Sequence, residues 1–178
     1  MPNPDNIASP ILVGGAGRSG TTWVLKVLGL HPDVQKVHEN SLAYTVYREI
    51  CASWWAQEFC REQCDGDPQR REGVAMEAMR EALCGVFPSS RARWVMKVIW
   101  GVESTWGVPL RVWAEAFPSA RYIHCVRNPL DTLASMMAYL GKFSNMQSLA
   151  AAEQSYLRGH RDMLELAKLG FPCLRLRL

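Results

Sequence analysis

Ten residues near the start, Gly14-Gly15-Ala16-Gly17-Arg18-Ser19-Gly20-Thr21-Thr22-Trp23, combine the residue types that can hold an anion by its oxygens. Glycines let a backbone approach an anion closely. Their N–H groups can converge, and a helix start just beyond adds the positive end of a dipole. The spacing from Gly15 to Gly20 matches the opening of the nucleotide-triphosphate loop, G-x-x-x-x-G-K-[ST], but Thr21 stands where the lysine belongs. That lysine normally reaches the terminal phosphates. The loop therefore suits a phosphate and suits a metal-bound triphosphate poorly. Arg18 is the only cation inside it.

A second pair of candidates lies far along the chain. Arg127 follows the apolar run Tyr122-Ile123-His124-Cys125-Val126, and Ser135 comes eight residues later. Arg127-Asn128-Pro129-Leu130-Asp131 reads as an orderly helix start: Asn128 caps, Pro129 takes the first helical position and Asp131 sits in the positive first turn. On that helix Leu130, Leu133, Ala134 and Met137 form the expected buried stripe. Ser135 lies off it, on the face of Thr132, so Arg127 and Ser135 can meet one anion. Arginine's planar fork suits a phosphate better than lysine's point charge.

The elements that must position these groups alternate along the chain. Ile11–Gly14 is a wholly apolar strand, as a central parallel strand should be. A helix from Thr22 to Leu30 follows the loop, stopping at His31-Pro32-Asp33. Val34–Val37 alternates and reads as a second strand, delivering His38-Glu39-Asn40 at its C-terminal end, where ligands of open parallel sheets gather. Ser41 starts a helix running to about Cys64, with Leu42, Val46, Ile50 and Trp54 recurring every four residues. Residues 64–71 read as a loop, and Met76, Met79, Leu83 and Val86 mark a further helix. Arg93 to Trp100 is a third strand, and Glu103 to Phe117 a helix that Pro109 breaks or kinks. Arg121–Val126 is a fourth strand. A long helix from about Met146 to Lys168 closes at Gly170, and Phe171 to Leu178 begins a fifth strand. Strand and helix in alternation predict an α/β domain of three layers around a central parallel sheet.

Together these stretches resemble the sulfotransferases that use 3′-phosphoadenosine-5′-phosphosulfate (PAPS) as donor and need no metal. Gly17-Arg18-Ser19-Gly20-Thr21-Thr22-Trp23 is similar to their 5′-phosphosulfate loop. Arg121 to Asp131, with Ser135 beyond, is similar to their 3′-phosphate site, where the family assigns the arginine and the serine to that phosphate. The tract from Arg18 through His31-Pro32-Asp33-Val34 to Glu39 resembles the tyrosylprotein branch, whose catalytic glutamate falls at the position of Glu39. His38 competes, because the cytosolic branch uses histidine. If the strand continues the two point to opposite sides, so only one faces the acceptor. The resemblance also places a lysine near the third strand to steady the transferring sulfuryl group. Lys97 fits that place, and a lysine inside an apolar strand needs an anion or an outward-facing position near the strand end.

The resemblance implies a P-loop-like sulfotransferase fold and a sulfuryl transfer to a hydroxyl or amine, with Glu39 as general base. Residues 1–178 are then a single domain comprising the N-terminal and central part of the fold. The family also binds the donor through C-terminal elements that nothing here supplies. The run Leu174-Arg175-Leu176-Arg177-Leu178 stops in mid-strand, so a C-terminal portion is expected to be absent. Two alternatives stay open: a nucleoside or nucleotide kinase of the same architecture, and a nucleotide-binding fragment without catalysis.

Composition narrows the rest. A chain of 178 residues with 48% apolar side chains supports one folded domain. The net charge of +3, without a basic run, does not suggest nucleic acid. No apolar run reaches membrane-spanning length, and Met1-Pro2-Asn3-Pro4-Asp5-Asn6 lacks a leader's basic and apolar regions. The six cysteines contain no C-x-x-C pair and predict a reducing cytoplasm, with Cys60–Cys64 as the alternative disulfide. Histidines and cysteines form no metal-ligand pattern. His124, inside a strand, reads as a satisfied buried histidine. Trp54, Trp55, Trp100 and Trp106 are either acceptor-pocket walls or core. Acceptor and oligomeric state are not legible.

Overall fold

The computed structural model describes residues 10–37, 41–51, 58, 64, 66–86, 93–98, 108, 110–140 and 148–178. Their elements run β1 (Ile11–Gly14), α1 (Thr21–Leu28), β2 (Val34–Val37), α2 (Ser41–Cys51), α3 (Pro68–Val86), β3 (Arg93–Lys97), α4 (Leu110–Ala116), β4 (Arg121–Val126), α5 (Pro129–Leu140), α6 (Leu149–Lys168) and β5 (Cys173–Arg177). The five strands form one sheet in the order β2-β3-β1-β4-β5, all parallel. This is the α/β sheet with a central parallel core that the alternation predicts.

β1 lies in the middle because its side chains are apolar on both faces. Leu12 joins Met96, Tyr122, Met163 and Leu166 in the larger core, under α3, α4 and α6. Val13 joins Val95, Ile123 and Cys125 on the other face, where Val24 and Leu25 of α1 cover them. Successive residues of one strand thus feed two cores. Burying a side chain such as Leu12 or Met96 fully is worth about 1.5–3 kcal/mol each.

Registers set which strand ends stand together. Leu12 lies opposite Tyr122 and Met96, Val13 opposite Ile123 and Lys97, and Gly14 opposite His124. The loops leaving β1 and β4 therefore emerge side by side, with the end of β3 on the other flank of β1.

Several boundaries differ from the sequence expectation. α3 starts at Pro68, inside the stretch read as a loop. Asp67 caps it, its carboxylate accepting from the Gln69 N–H at 2.9 Å and its carbonyl from Arg71 N–H at 3.1 Å. Asp-Pro is itself a cap followed by a first-turn proline. α6 begins at Leu149, capped by Ser148, whose hydroxyl accepts from Ala151 N–H at 3.2 Å. Its end is as expected: Gly170 takes φ 82°, with Gly170 N–H to Ala167 and Phe171 N–H to Leu166 closing the last turn. α4 is described from Leu110; Pro109 and residues 103–107 of the expected helix lie outside the described residues.

The buried stripe of α5 is not the expected one. Leu130 is 76% exposed and Ala134 is exposed, whereas Thr132 and Met136 are fully buried. Thr132 tolerates burial because its hydroxyl donates to the Asn128 carbonyl at 2.9 Å. Met136 packs with Ala16 and Ala152, and Leu133 and Met137 flank that contact. Asn128 caps the helix as predicted, accepting from Leu130 N–H at 2.9 Å.

Candidate functional site

The loop between β1 and α1 is bent by three unusual backbone positions. Gly15 has φ 147°, Arg18 φ 64° and Gly20 φ 91°. A Cβ on Gly15 would stand 2.5 Å from the Cys125 carbonyl oxygen and 2.9 Å from Ser19 Oγ. The loop thus presses against the end of β4. Arg18 holds the left-handed conformation with a full side chain, a strained choice of the kind that clusters at ligand sites. Ser19 N–H bonds back to the Ala16 carbonyl at 3.2 Å, closing the turn.

Two polar features of the loop lack partners among the described residues. Gly20 occupies the cap position of α1 and offers no side-chain acceptor to the first-turn N–H groups. Ser19 is fully buried, and its Oγ has no hydrogen-bond partner. A buried hydroxyl without a partner is unfavourable by about 1–3 kcal/mol unless something fills its site. Thr21 is buried at the same helix start, and Thr22 and Trp23 are exposed. Gly17 is half-buried.

The two sequence motifs meet. Arg18 Nε donates to Ser135 Oγ at 3.1 Å, across 117 residues of chain. The Arg18 guanidinium also lies 4.4 Å from the centre of the Tyr139 ring. Thr132, Ser135, Met136 and Tyr139 share one helical face of α5, at spacings of three and four. Its inner members are buried and its outer members face Arg18. The sequence reading of Ser135 on the face of Thr132 is right, although that face is the buried one. Tyr139 was not anticipated; its i, i+4 relation to Ser135 was the available signal.

Arg127 is half-buried just past β4, and its carbonyl accepts from the Tyr156 hydroxyl at 3.4 Å. Lys97 ends β3 half-buried, level with Val13 at the same edge of the sheet. Leu178 N–H bonds to the Val126 carbonyl at 2.8 Å, and its side chain approaches Gly20. His38, Glu39, Trp54, Trp55, Trp100 and Trp106 lie outside the described residues.

Burial governs the titratable groups behind the site. It pushes the Cys125 thiol up to about 12, so this cysteine stays a neutral hydrophobe. His124 is buried as expected, with Nε2 2.7 Å from His160 Nδ1. Desolvation first, then His160 and Arg175, lowers its pKa to about 4. His160 is lowered by the same burial. Cys51, Cys84, Cys125 and Cys173 are free thiols, and Cys60 lies outside the described residues. Among the described residues no group of three or more His, Cys, Asp or Glu is arranged to hold a metal ion. Nor is any helix among them long and apolar enough to cross a membrane.

A parallel sheet with β1 at its centre, a glycine-bent turn into α1 and a facing helix that meets the turn's arginine define a P-loop-like α/β domain. The comparisons make the class specific. The model of the Sulfotransferase family matches residues 10–172, and the chain belongs to that family. Among solved structures, the sulfotransferase domain from the curacin biosynthetic pathway superposes with a TM-score of 0.65 at 17% identity, covering 97% of this chain and 68% of that one. The sulfotransferase domain from the Synechococcus PCC 7002 olefin synthase gives 0.59 at 17% identity, covering 95% of this chain and 65% of that one. The chain thus spans about two thirds of the length of these domains. TT1252 from Thermus thermophilus gives 0.53 at 15% identity, covering 96% and 88%. Identities this low speak for a common fold. The comparison with curated proteins found no match.

Proposed function

We propose that this chain is a PAPS-dependent sulfotransferase domain, moving a sulfuryl group to a hydroxyl or amine. The observation that carries the reading is the Arg18–Ser135 hydrogen bond, which joins the loop after β1 to the helix after β4. A donor with phosphates at both its 5′ and 3′ positions needs two anion sites close together in space, and this bond brings the two motifs into contact.

The residues present fit such a ligand. The uncapped first turn of α1, the buried Ser19 hydroxyl, Thr21 and Thr22 can surround the oxygens of a 5′-phosphate. Arg18 supplies the charge that a lysine gives in triphosphate loops. Arg127 and Ser135 are assigned to the 3′-phosphate. When bound, the donor supplies an activated sulfuryl group on a 5′-phosphate leaving group.

Each residue then has a task. Glu39 takes the proton of the acceptor hydroxyl or amine, with His38 as the competing base. The new bond to sulfur forms as the bond to the 5′-phosphate breaks, and the phosphate keeps that electron pair. Arg18 and the α1 N–H groups hold the charge growing on the phosphate. Lys97, at the neighbouring strand end, holds the sulfuryl oxygens. Free thiols at Cys51, Cys84, Cys125 and Cys173 support a cytoplasmic setting for the reaction.

The test is a titration with 3′,5′-adenosine bisphosphate in the absence of magnesium, followed by a labelled-PAPS transfer screen over protein, carbohydrate, lipid and phenolic acceptors. Binding is expected without metal, and Arg127→Ala should weaken it by about 10- to 100-fold, the worth of a charge-assisted contact. Glu39→Gln should keep donor binding and lose transfer; undiminished transfer promotes His38. Absence of bisphosphate binding alongside binding of magnesium-ATP would move the assignment to a phosphoryl-transfer enzyme. Bisphosphate binding with no transfer to any acceptor class would leave a nucleotide-binding module.

A further inference from the structure

We infer that Tyr139 is a positioning residue for the donor-binding arginine, an inference that rests on the donor site proposed above. Arg18 sits at φ 64° on an exposed loop, and its long side chain has several rotamers open to it. Two contacts from α5 restrict it. Ser135 Oγ takes the hydrogen of Nε at 3.1 Å. The Tyr139 ring lies 4.4 Å from the guanidinium carbon. The guanidinium carbon sits over the ring, and the Ser135 bond occupies the Nε corner. What remains is the pair of terminal nitrogens, the edge that bonds phosphate oxygens in parallel.

Ser135 gains from the same arrangement. Its oxygen accepts from Arg18, so its own O–H can donate to an anion. The unit presents three donors in a fixed relation: two guanidinium nitrogens and one hydroxyl. Because Ser135 and Tyr139 are one helical turn apart on α5, the helix sets the geometry of both contacts. Pre-orienting a flexible arginine raises affinity by reducing the ordering required on binding.

A ring at this distance from an exposed guanidinium is worth about 2- to 5-fold in an equilibrium. Calorimetric titration of the chain with 3′,5′-adenosine bisphosphate, paired with urea denaturation of each variant, reads this directly. Tyr139→Leu should weaken binding by about 2- to 5-fold while keeping a cooperative urea transition. Tyr139→Phe keeps the ring and should recover most of that loss. In an Arg18→Ala background, Tyr139→Leu should have no further effect, because the ring acts only through the arginine. Equal weakening by Tyr139→Leu with and without Arg18 overturns the proposal, as does full affinity in Tyr139→Leu. Failure of the parent chain to bind the bisphosphate refutes instead the donor site on which the proposal stands.

Discussion

Replacing Arg18 separates the conformation of the loop from its charge. The residue holds φ 64°, where an L side chain is disfavoured by roughly 1–2 kcal/mol and glycine is not. Arg18→Ala keeps the Cβ, and so the strain, while deleting the Ser135 bond and the Tyr139 contact. Arg18→Gly deletes the same contacts and relieves the strain, less about 0.4–1 kcal/mol for the freer unfolded chain. The glycine variant should therefore be more stable than the alanine variant by about 0.8 kcal/mol at the centre of these ranges, or roughly 2–3 °C in Tm for a chain of this size. Urea and thermal unfolding of the two proteins measure it. Both should bind 3′,5′-adenosine bisphosphate more weakly and to the same extent, because the guanidinium is gone from each. An alanine variant as stable as the glycine variant would refute the left-handed conformation and the anion cradle built from it. A glycine variant that binds like the parent would refute the charge assignment.

Gly15→Ala should destabilise the fold by about 2 kcal/mol or more and abolish bisphosphate binding, since its Cβ would meet the Cys125 carbonyl at 2.5 Å; denaturant midpoints and titration check both. Acid should weaken the fold through His124. Its folded pKa of about 4 lies below the ordinary value of 6.5, so the unfolded chain binds the extra proton and stability falls as pH drops through that window. The loss should reach about 2 kcal/mol at pH 5 relative to pH 8, and an H124L/H160F variant should flatten the urea midpoint against pH. A midpoint of the parent chain that does not move between pH 8 and pH 5 refutes the buried neutral pair.

The strands were the most legible part of the chain. β1, β2 and β4 lie where the apolar or alternating runs put them, because glycine, proline and charged residues bound those runs on both sides. The third strand was read as Arg93 to Trp100, and the structure gives Arg93–Lys97. Helix faces were harder to read. On α5 the apolar letters favour Leu130 and Ala134, yet the buried positions are Thr132 and Met136, of which Met136 packs with Ala16 and Ala152. Hydropathy cannot tell that a threonine hydroxyl is already satisfied by its own helix start. The Arg18–Ser135 pairing was legible only in outline, as two anion-binding motifs on neighbouring strand ends. For Tyr139 the i, i+4 relation to Ser135 puts the ring on the right face, but its contact with Arg18 also depends on a rotamer that spacing does not fix. Similarly, His124 reads from sequence as a satisfied buried histidine, but its partner His160 comes from a helix 36 residues further on.

The absent lysine explains the shape of the site as well as its chemistry. In a triphosphate loop the cation projects from the first turn of the helix toward the terminal phosphate. Here that position is Thr21, which is only 4% exposed and packed at the start of α1. The cation has moved three residues back, to a left-handed position whose side chain runs sideways to α5 instead of forward over the helix. A charge placed there links the loop after β1 to the helix after β4, the arrangement on which the proposed donor site rests. Restoring the lysine should therefore not restore triphosphate binding. Thr21→Lys must place an ammonium in a buried site, and a loss of about 1–3 kcal/mol in urea stability is expected, with no gain in magnesium-ATP affinity. A Thr21→Lys chain that kept its stability and bound magnesium-ATP would mean that the loop is a triphosphate cradle lacking one residue. The sideways arginine would then have no part in choosing the ligand.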